Sequence, residues 1–274
     1  MLKISGLFIY PIKSLGGIAL NTAEVGSRGL EHDRRWMLVD ENNRFLSQRE
    51  IPEMALLYVE LTPKGLLVMH RHQPEEFVAV PFLFDAKEEA ICTIWDDECA
   101  AEFVDNEIDK WFTKMLEVKC RLVYMPANTK RLVDQEYAGL QHITSFADAF
   151  SCLIIGENSL TELNNRLKEA VSMDRFRPNI VFTGGEAHQE DQMLHFSIGS
   201  IEFHGVKPCA RCPVVTINQE SGIAGKEPLK TLSGYRKKNN KVYFGQNLIH
   251  EGEGTISIGD EILIKKLKPE KFIS

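Results

Sequence analysis

Residues Phe196–Ile217 have the sequence FSIGSIEFHGVKPCARCPVVTI, in which short alternating runs surround a cysteine-containing loop. The alternation on either side of Gly199-Ser200 predicts two strands joined by a tight turn. Val214–Ile217 is rich in β-branched residues and predicts a further strand. The loop Lys207–Pro213 is therefore expected to lie between sheet elements, on a scaffold rigid enough to hold its side chains in place.

This loop carries two thiols and a guanidinium, from Cys209, Cys212 and Arg211. Thiolates bind soft transition metals or take part in redox chemistry, and a guanidinium offers a planar fork to phosphate or carboxylate. The combination indicates a site for an anionic cofactor that carries a metal. The loop alone leaves three other interpretations open: half of a zinc site near His204, a thioredoxin-like redox pair, and two inert packed thiols.

The rest of the sequence predicts a β-rich α+β protein with a few helices. Its first part, to about residue 100, consists of short alternating runs separated by turns, which is typical of strands. Asp105–Leu116 has one apolar face and predicts a helix, and Ser159–Glu162 has capping-box spacing before a second helix. Thr255–Ile264 predicts a hairpin. Strands this short and numerous need closed sheets to protect their edges, so we expect a barrel.

The composition is that of a folded globular protein of 274 residues, 43% hydrophobic and 26% charged. Its 32 basic and 39 acidic residues give a formal net charge of −7, which disfavours nucleic acid as a partner. An anionic ligand therefore needs a local group of cations. The acidic runs Asp96–Glu98 and Glu186–Asp191 are expected to be solvated loops.

Two features bear on location. No apolar run reaches the roughly 20 residues that span a bilayer, and Met1–Tyr10 resembles a strand rather than a signal peptide. We therefore expect a cytoplasmic protein without a membrane segment. Its six cysteines are irregularly spaced, so most are expected to be buried free thiols.

Lys13 and Ser14 follow a proline-stiffened turn at Tyr10-Pro11. They can offer an ammonium and a hydroxyl to a phosphate. Taken alone, this segment is explained more simply by a solvated lysine beside a turn.

Two arginines lie beside predicted strands. Arg34 is expected to share a strand face with Trp36, where it needs a carboxylate or a ligand phosphate as its partner. Arg177 precedes Pro178 and Asn179 at the start of another strand. There it can either face a ligand or cap a preceding helix.

Several motifs occur in a characteristic order along the chain. They are Tyr10-Pro-Ile-Lys-Ser14, Gly29-Leu30 with Asp33-Arg-Arg-Trp36, Phe146-Ala-Asp148, Ser159-Leu160, Phe176-Arg-Pro-Asn179, Cys209-Ala-Arg-Cys212, Lys226-Glu-Pro-Leu229 and Phe244-Gly-Gln246. In this order they resemble the MOSC family, the molybdenum cofactor sulfurase C-terminal domain proteins, and in particular the branch of the mitochondrial amidoxime-reducing components and their bacterial relatives. The resemblance implies an N-terminal MOSC β-barrel domain over residues 1–118 and a MOSC domain over residues 119–274.

The resemblance also implies a molybdopterin cofactor (Mo-molybdopterin) with a protein thiolate on its molybdenum. In the family this ligand is the second cysteine of the C-x-R-C run, here Cys212. The same matching implies that the pterin and its phosphate are held by Lys13, Ser14, Arg34, Asp148, Arg177, Asn179 and Arg211. Two positions depart from the family: Ala210 stands where relatives often carry serine, and Pro213 stiffens the loop.

The implied activity is reduction of small N-hydroxylated substrates such as amidoximes, N-hydroxylated bases and hydroxylamines, with Cys212 as the catalytic metal ligand. No second cysteine cluster suited to iron–sulfur binding is present, so electrons are expected from a separate ferredoxin, flavoprotein or cytochrome. The alternative is a protein that stores, delivers or sulfurates molybdenum cofactor, with Cys209 as the acceptor of a persulfide. The resemblance also suggests that the protein could be described as pyridoxal phosphate-like.

Overall fold

The computed structural model describes residues 1–86, 88–139 and 141–269, which form mainly β-strands. Within them lie three α-helices, α1 (Asn106–Leu116), α2 (Glu157–Asn164) and α3 (Leu229–Ser233), and 3₁₀-helices at Pro52–Leu56, Met173–Phe176, Gln189–Asp191 and Pro213–Thr216. The strands are β1 (Leu2–Ile9), β2 (Ile18–Leu20), β3 (Thr22–Gly26), β4 (Gly29–Leu30), β5 (Trp36–Val39), β6 (Leu57–Thr62), β7 (Gly65–His70), β8 (Gln73–Pro81), β9 (Glu89–Ile94), β10 (Asp97–Phe103), β11 (Arg121–Tyr124), β12 (Arg131–Leu132), β13 (Ile143–Thr144), β14 (Cys152–Gly156), β15 (Ile180–Thr183), β16 (Met193–Ile198), β17 (Ile201–Ala210), β18 (Lys237–Lys238), β19 (Lys241–Glu251), β20 (Gly254–Ser257) and β21 (Glu261–Leu267). The prediction of a β-rich α+β fold is confirmed.

The helices are short. The longest, α1, has 11 residues, whereas a helix needs roughly 20 to cross a bilayer. No helix in the described part of the chain is therefore long and apolar enough to span a membrane.

Seven strands close into a barrel in the order β14–β15–β1–β21–β16–β17–β19, and β19 pairs back to β14. Neighbouring strands are antiparallel, except for the parallel pair β14–β15. Because successive side chains of a strand point to opposite faces, the apolar positions of all these strands meet inside the ring. The barrel core includes Leu7, Ile154, Phe182, Phe196 and Phe203, each almost completely buried.

The N-terminal half builds a second, smaller body from two sheets, β5–β11–β10–β9 and β6–β7–β8. Trp36, Phe112 and Leu122 are buried in its core. Helix α1 begins as predicted, because the Asp105 carboxylate accepts a hydrogen bond of 2.7 Å from the backbone N–H of Glu107 and caps the helix. These sheets correspond to the expected smaller β-barrel-like domain.

The two bodies interleave along the chain. Strand β1 belongs to the barrel, where it pairs with β15 and β21. The chain then crosses to the second body at Tyr10–Ser14, where the backbone N–H of Lys13 donates to the carbonyl oxygen of Trp36 at 2.8 Å. The boundary between residues 118 and 119 stays a prediction, and the crossing places Lys13 and Ser14 at the junction of the two bodies.

The strand predicted for Val214–Ile217 is wrong. Residues Pro213–Thr216 form a 3₁₀-helix instead. Proline suits a helical first position because its φ is fixed and its missing N–H is not needed there. The Thr216 hydroxyl also donates to the Pro213 carbonyl oxygen at 2.7 Å, which closes the turn and outweighs the β-propensity of the valines.

The capping box at Ser159 is also wrong. Helix α2 begins earlier, at Glu157, and its N-cap residue is Gly156, which has no side-chain cap. The Ser159 hydroxyl instead donates to the buried carboxylate of Glu190 at 2.9 Å. The Ser159 hydroxyl therefore makes a tertiary hydrogen bond instead of the helix cap that the local pattern predicted.

Thr255–Ile264 does not form the predicted hairpin. Strand β20 pairs with β3, whereas β21 pairs with β1 and β16 in the barrel. The turn at Gly259 thus joins two sheets rather than two neighbouring strands. Its φ of +94° explains the glycine at this position.

Candidate cofactor site

A cavity of about 330 Å³ lies at the junction of the barrel and the N-terminal sheets. All of the residues predicted to hold a cofactor line it: Lys13, Ser14, Arg34, Asp148, Arg177, Asn179, Arg211 and Cys212. They come from five separated stretches of the sequence. The fold thus brings together side chains that are as much as 199 positions apart in the sequence numbering.

The predicted loop Lys207–Pro213 is shorter than expected, because strand β17 continues to Ala210 and a 3₁₀-helix begins at Pro213. Arg211 and Cys212, which lie between these elements, are fixed on both sides. On one side, the Arg211 N–H donates to the Val242 carbonyl oxygen of β19 at 2.7 Å. On the other side, the 3₁₀-helix starts at Pro213, and Cys212 before it has an extended backbone with φ −107° and ψ 174°. Cys209 and Cys212 are both partly buried and both line the cavity.

Lys13 is a buried cation with two acceptors. Its Nζ donates to the Phe146 carbonyl oxygen at 2.8 Å and to Asp148 Oδ1 at 2.5 Å. Burial lowers the pKa of Lys13, and the Asp148 carboxylate offsets part of that effect. Desolvation alone would raise the pKa of Asp148, but the Lys13 ammonium and a hydrogen bond from Trp95 Nε1 lower it overall. Asp148 therefore stays ionised.

Arg34 does not share a strand face with Trp36 as predicted. It precedes β5 in a turn, with a left-handed φ of +49°. Its Nη1 donates to both carboxylate oxygens of Asp33, at 2.8 and 2.7 Å, and to Asn179 Oδ1 at 3.3 Å. Of the partners considered for Arg34, the carboxylate of Asp33 is the one observed.

Arg177 both ends a helix and lies at the cavity, the two positions considered for it from the sequence. It ends the 3₁₀-helix Met173–Phe176 in a left-handed conformation with φ +54°, and its side chain lines the cavity. Its guanidinium carbon lies 4.2 Å from the centre of the Tyr10 ring, and that of Arg34 lies 4.3 Å from the same ring. Burial and the charge of Arg34 lower the pKa of Arg177 to about 10. Among the described residues, no carboxylate forms an ion pair with Arg177.

Arg211 has an incomplete set of hydrogen bonds. Its Nε donates to the Phe244 carbonyl oxygen at 2.8 Å and its Nη1 to the Phe176 carbonyl oxygen at 2.9 Å. Its Nη2 is buried and has no hydrogen-bond partner among the described residues. Leaving such a donor unsatisfied costs about 1–3 kcal/mol, and more for a charged group. The carbonyls hold the guanidinium in place, and its remaining donor fits an anionic ligand in the cavity.

Asn179 and Ser14 are held by backbone contacts. Asn179 Nδ2 donates to the Phe8 carbonyl oxygen at 3.1 Å, and its Oδ1 accepts from the Leu153 N–H at 3.2 Å. Asn179 thus ties β1 to β14 beneath the cavity. Gln48 Nε2 donates to the Ser14 carbonyl oxygen at 2.7 Å, which holds the crossing loop.

The thiols differ in their surroundings. Burial raises the pKa of the Cys209 thiol, and the charge of Arg211 opposes that effect. The remaining cysteines, which are Cys92, Cys99, Cys120 and Cys152, are buried and free, as predicted. The described residues contain no group of three or more His, Cys, Asp or Glu side chains that could hold a metal ion.

The sequence analysis did not predict every residue that lines the cavity. Ser47, Arg49, Lys207 and Lys241 also line the cavity. The Arg49 guanidinium carbon lies 4.1 Å from the ring centre of Trp95, at the turn between β9 and β10. Neither Arg49 nor Trp95 stands in a recognisable motif. Only the packing of the N-terminal sheets brings them to this place.

The comparisons with known proteins agree with this architecture. The MOSC N-terminal beta barrel domain matches residues 1–119, and the MOSC domain matches residues 141–263. The chain belongs to the MOSC family, and a molybdenum cofactor is the ligand that this membership indicates.

Individual relatives cover most of the chain. "Mitochondrial amidoxime reducing component 2" of Rattus norvegicus is 31% identical over 94% of this chain and 82% of its own length. "Mitochondrial amidoxime-reducing component 1" of Homo sapiens is 28% identical over 95% of this chain and 82% of its own length. "Molybdenum cofactor sulfurase" of Arabidopsis thaliana is 29% identical over 94% of this chain but only 35% of its own length. None of these names or matched domains supports an association with pyridoxal phosphate.

Proposed function

We propose that the protein is a molybdenum-dependent reductase of N-hydroxylated compounds such as amidoximes, N-hydroxylated bases and hydroxylamines. One observation carries the proposal: cations from distant parts of the sequence, among them Arg211 with its unpartnered Nη2, line one cavity together with Cys212. The relatives named amidoxime-reducing components support this choice of reaction, since the similarity extends over both domains.

In this proposal each group has a distinct role. Cys212 would supply a thiolate, a soft ligand suited to molybdenum, while Lys13, Arg177 and Arg211 would bind the anionic part of the cofactor. When bound, the cofactor supplies two-electron reduction of the N–OH group, in which the substrate takes up two electrons and two protons and yields an amine or amidine and water.

The ion pair of Lys13 and Asp148 limits what these two groups do. Asp148 stays ionised beside the ammonium, so it would accept hydrogen bonds rather than donate a proton to the substrate. Lys13 would remain a fixed cation in the cavity wall because Phe146 and Asp148 hold it. Binding and orientation are therefore the proposed roles of both residues.

The electrons would come from a separate electron-transfer protein. Four of the six cysteines are buried free thiols, and the other two, Cys209 in β17 and Cys212 after it, line the cavity. A ferredoxin, flavoprotein or cytochrome is the class of donor that fits a single redox centre of this kind.

A second candidate function has its own support. Cys209 lines the same cavity, and some relatives are named molybdenum cofactor sulfurases. A carrier of cofactor or sulfur would use Cys209 as a persulfide acceptor. Burial raises the pKa of this thiol and makes the nucleophilic thiolate scarcer. The chain also spans 82% of the amidoxime reducing component of Rattus norvegicus but only 35% of the Arabidopsis thaliana sulfurase, so we favour the reductase.

The two functions can be separated in one experiment. The protein would be produced in a molybdate-supplied host, and its molybdenum content and its reduction of benzamidoxime with chemically reduced methyl viologen would be measured. The Cys212→Ser variant should lose reduction, whereas Cys209→Ser should retain most of it. A carrier would bind molybdenum without reducing benzamidoxime, and Cys209→Ser would lower its molybdenum content more than Cys212→Ser. A wild-type protein that binds molybdenum but never reduces benzamidoxime, or any other N-hydroxylated substrate tested, would overturn the reductase.

A further inference from the structure

A strongly basic segment borders the cavity. Between positions 226 and 241 the sequence has six basic residues and one acidic residue, although the whole chain has 32 basic and 39 acidic residues. All five lysines in this segment are exposed: Lys226, Lys230, Lys237, Lys238 and Lys241. We refer to these five residues as the lysine face.

The segment is structurally fixed. Its arginine, Arg236, is buried and pairs with Asp191 at 2.5 Å, which anchors the segment to the barrel. Its acidic residue, Glu227, accepts a hydrogen bond from the Thr231 N–H at 2.9 Å. Helix α3 packs on β19 between these two contacts. The lysine face is therefore carried by an ordered support rather than by a loose loop.

In the part of the chain that the structure describes, four of the five lysines of the face have no local carboxylate partner. Within the described residues, Lys226, Lys230, Lys237 and Lys241 form no ion pair with a carboxylate. Lysine side chains are strongly hydrated and costly to bring together, so a group of them suits a surface that meets an anionic partner.

The face lies next to the proposed metal ligand. Lys241 lines the cavity itself. Lys238 pairs with Lys241 and Lys237 with Val242 in the β18–β19 hairpin. Val242 in turn accepts the hydrogen bond from the Arg211 N–H, one residue before Cys212. A partner seated on the hairpin would thus stand beside the loop that carries the thiolate.

An exposed apolar residue precedes the lysine face in the sequence. Ile223 is 69% exposed, in the turn between the 3₁₀-helix Pro213–Thr216 and the lysine face. This turn is held by a hydrogen bond of 2.9 Å from the Asn218 N–H to the Ile223 carbonyl oxygen. Ile223 thus adds one exposed apolar side chain three residues before Lys226, and protein interfaces combine apolar and charged groups.

We propose that the lysine face is the docking surface for the electron donor, and that this donor is an acidic electron-transfer protein. The inference rests on the proposed function, which requires a separate donor. Electron-transfer complexes have small interfaces and depend on electrostatic steering, so opposite charges would govern the association rate more than buried area. The overall negative charge of the chain would repel the same acidic partner elsewhere and direct it to this face.

The test compares a protein donor with a small-molecule donor. The probe is chemically reduced flavodoxin, which is acidic, and the substrate is benzamidoxime. The variant is Lys230→Glu/Lys237→Glu/Lys238→Glu, which leaves the cavity-lining Lys241 unchanged. Its matched control, Lys64→Glu/Lys110→Glu/Lys119→Glu, makes the same charge change on exposed lysines of the N-terminal half.

We expect kcat/KM for flavodoxin to fall by a factor of roughly 10 or more in the variant at low salt. In the wild type and the control, it should fall as NaCl rises from about 20 to about 300 mM, and this dependence should be lost in the variant. Activity with reduced methyl viologen should be retained in all three proteins.

Two outcomes would overturn the docking surface. One is an equal loss of flavodoxin-driven activity in the control and the variant, which would indicate a general charge effect. The other is an unchanged kcat/KM in the variant, which would place docking elsewhere. Failure of the proposed function is distinguishable from both, since then the wild type would be inactive with methyl viologen as well.

Discussion

Lys13 Nζ lies 2.5 Å from Asp148 Oδ1, and the two side chains differ greatly in exposure, at 7% for Lys13 and 60% for Asp148. The contact joins the loop after β1 to the loop before β14 and thereby closes one side of the cavity. Because only the lysine is buried, the two halves of this ion pair are not equivalent. Removal of the carboxylate leaves a buried cation, whereas removal of the cation leaves a carboxylate that water can reach.

This difference makes a prediction for stability. Asp148→Asn should destabilise the cofactor-free protein by about 1–3 kcal/mol, because Lys13 keeps its charge but loses its anionic partner. Lys13→Met should cost less, since the exposed carboxylate is solvated and the apolar stem is kept. Urea denaturation of both variants would measure the order, and the double variant should be less destabilised than Asp148→Asn alone. A larger loss in Lys13→Met would contradict the expectation.

The unpartnered Nη2 of Arg211 makes a prediction for cofactor binding. Arg211→Lys keeps the positive charge but cannot both hold the two carbonyls and reach the ligand. One charge-assisted hydrogen bond contributes about 1.5–3 kcal/mol, so affinity for isolated molybdenum cofactor should fall by roughly 10- to 150-fold.

The measurement is a titration of cofactor-free protein, followed by molybdenum analysis after gel filtration. Arg166→Lys is the matched control, since Arg166 pairs with Glu162 on the surface. Undiminished binding by Arg211→Lys would mean that its free donor does not face the cofactor.

Much of the site was predictable, and the reason differs from residue to residue. Lys13, Arg177 and Cys212 stand in motifs whose order along the chain resembles a known family, so their meeting could be expected. Arg49 and Trp95 stand in no motif, and their place in or beside the cavity depends on how the N-terminal sheets pack. A single sequence contains no local signal for such contacts.

The fold, too, has features that local sequence predicts and features that depend on distant partners. Helix α1 was predictable because its periodicity and its Asp105 cap are both local. The expectation that Glu186–Asp191 is a solvated loop was wrong for its last two residues, since Glu190 and Asp191 are buried. Their partners, Ser159 and Arg236, lie far away in the sequence. Charge density in a sequence predicts exposure only when no distant partner is available.

The Asp105 cap makes a simple prediction for the N-terminal half. Asp105→Ala removes the acceptor for the first N–H groups of α1 and should destabilise the protein by about 1 kcal/mol. Asp105→Ser keeps a side-chain acceptor and should cost less. Urea denaturation followed by tryptophan fluorescence would report on this half, because Trp36, Trp95 and Trp111 all lie in it. Equal stability of the two variants would mean that the cap contributes nothing measurable.

Glu190 makes a prediction for pH dependence. Burial, and then the neighbouring charge of Asp191, raise the pKa of Glu190 to about 7 in the folded protein, whereas its ordinary value is 4.5. The folded state thus binds the proton more tightly than the unfolded state does. The stabilisation that the protonated Glu190 carboxyl provides is fully present below the pKa of the unfolded state. It is lost as pH rises through the pKa of the folded state. The loss is on the order of 3 kcal/mol between about pH 4 and pH 8.

Glu190→Gln isolates this effect from other titrating groups. The amide is a neutral group of similar shape that still accepts the hydrogen bond from Ser159. The free energy of unfolding of the wild type minus that of Glu190→Gln should therefore decline from pH 5 to about pH 7, most steeply near pH 6, and level off above the folded pKa of about 7. Urea denaturation at a series of pH values would measure it. A constant difference across the range would mean that Glu190 has the same proton affinity in the folded and unfolded states, and that its burial is compensated by groups other than Ser159.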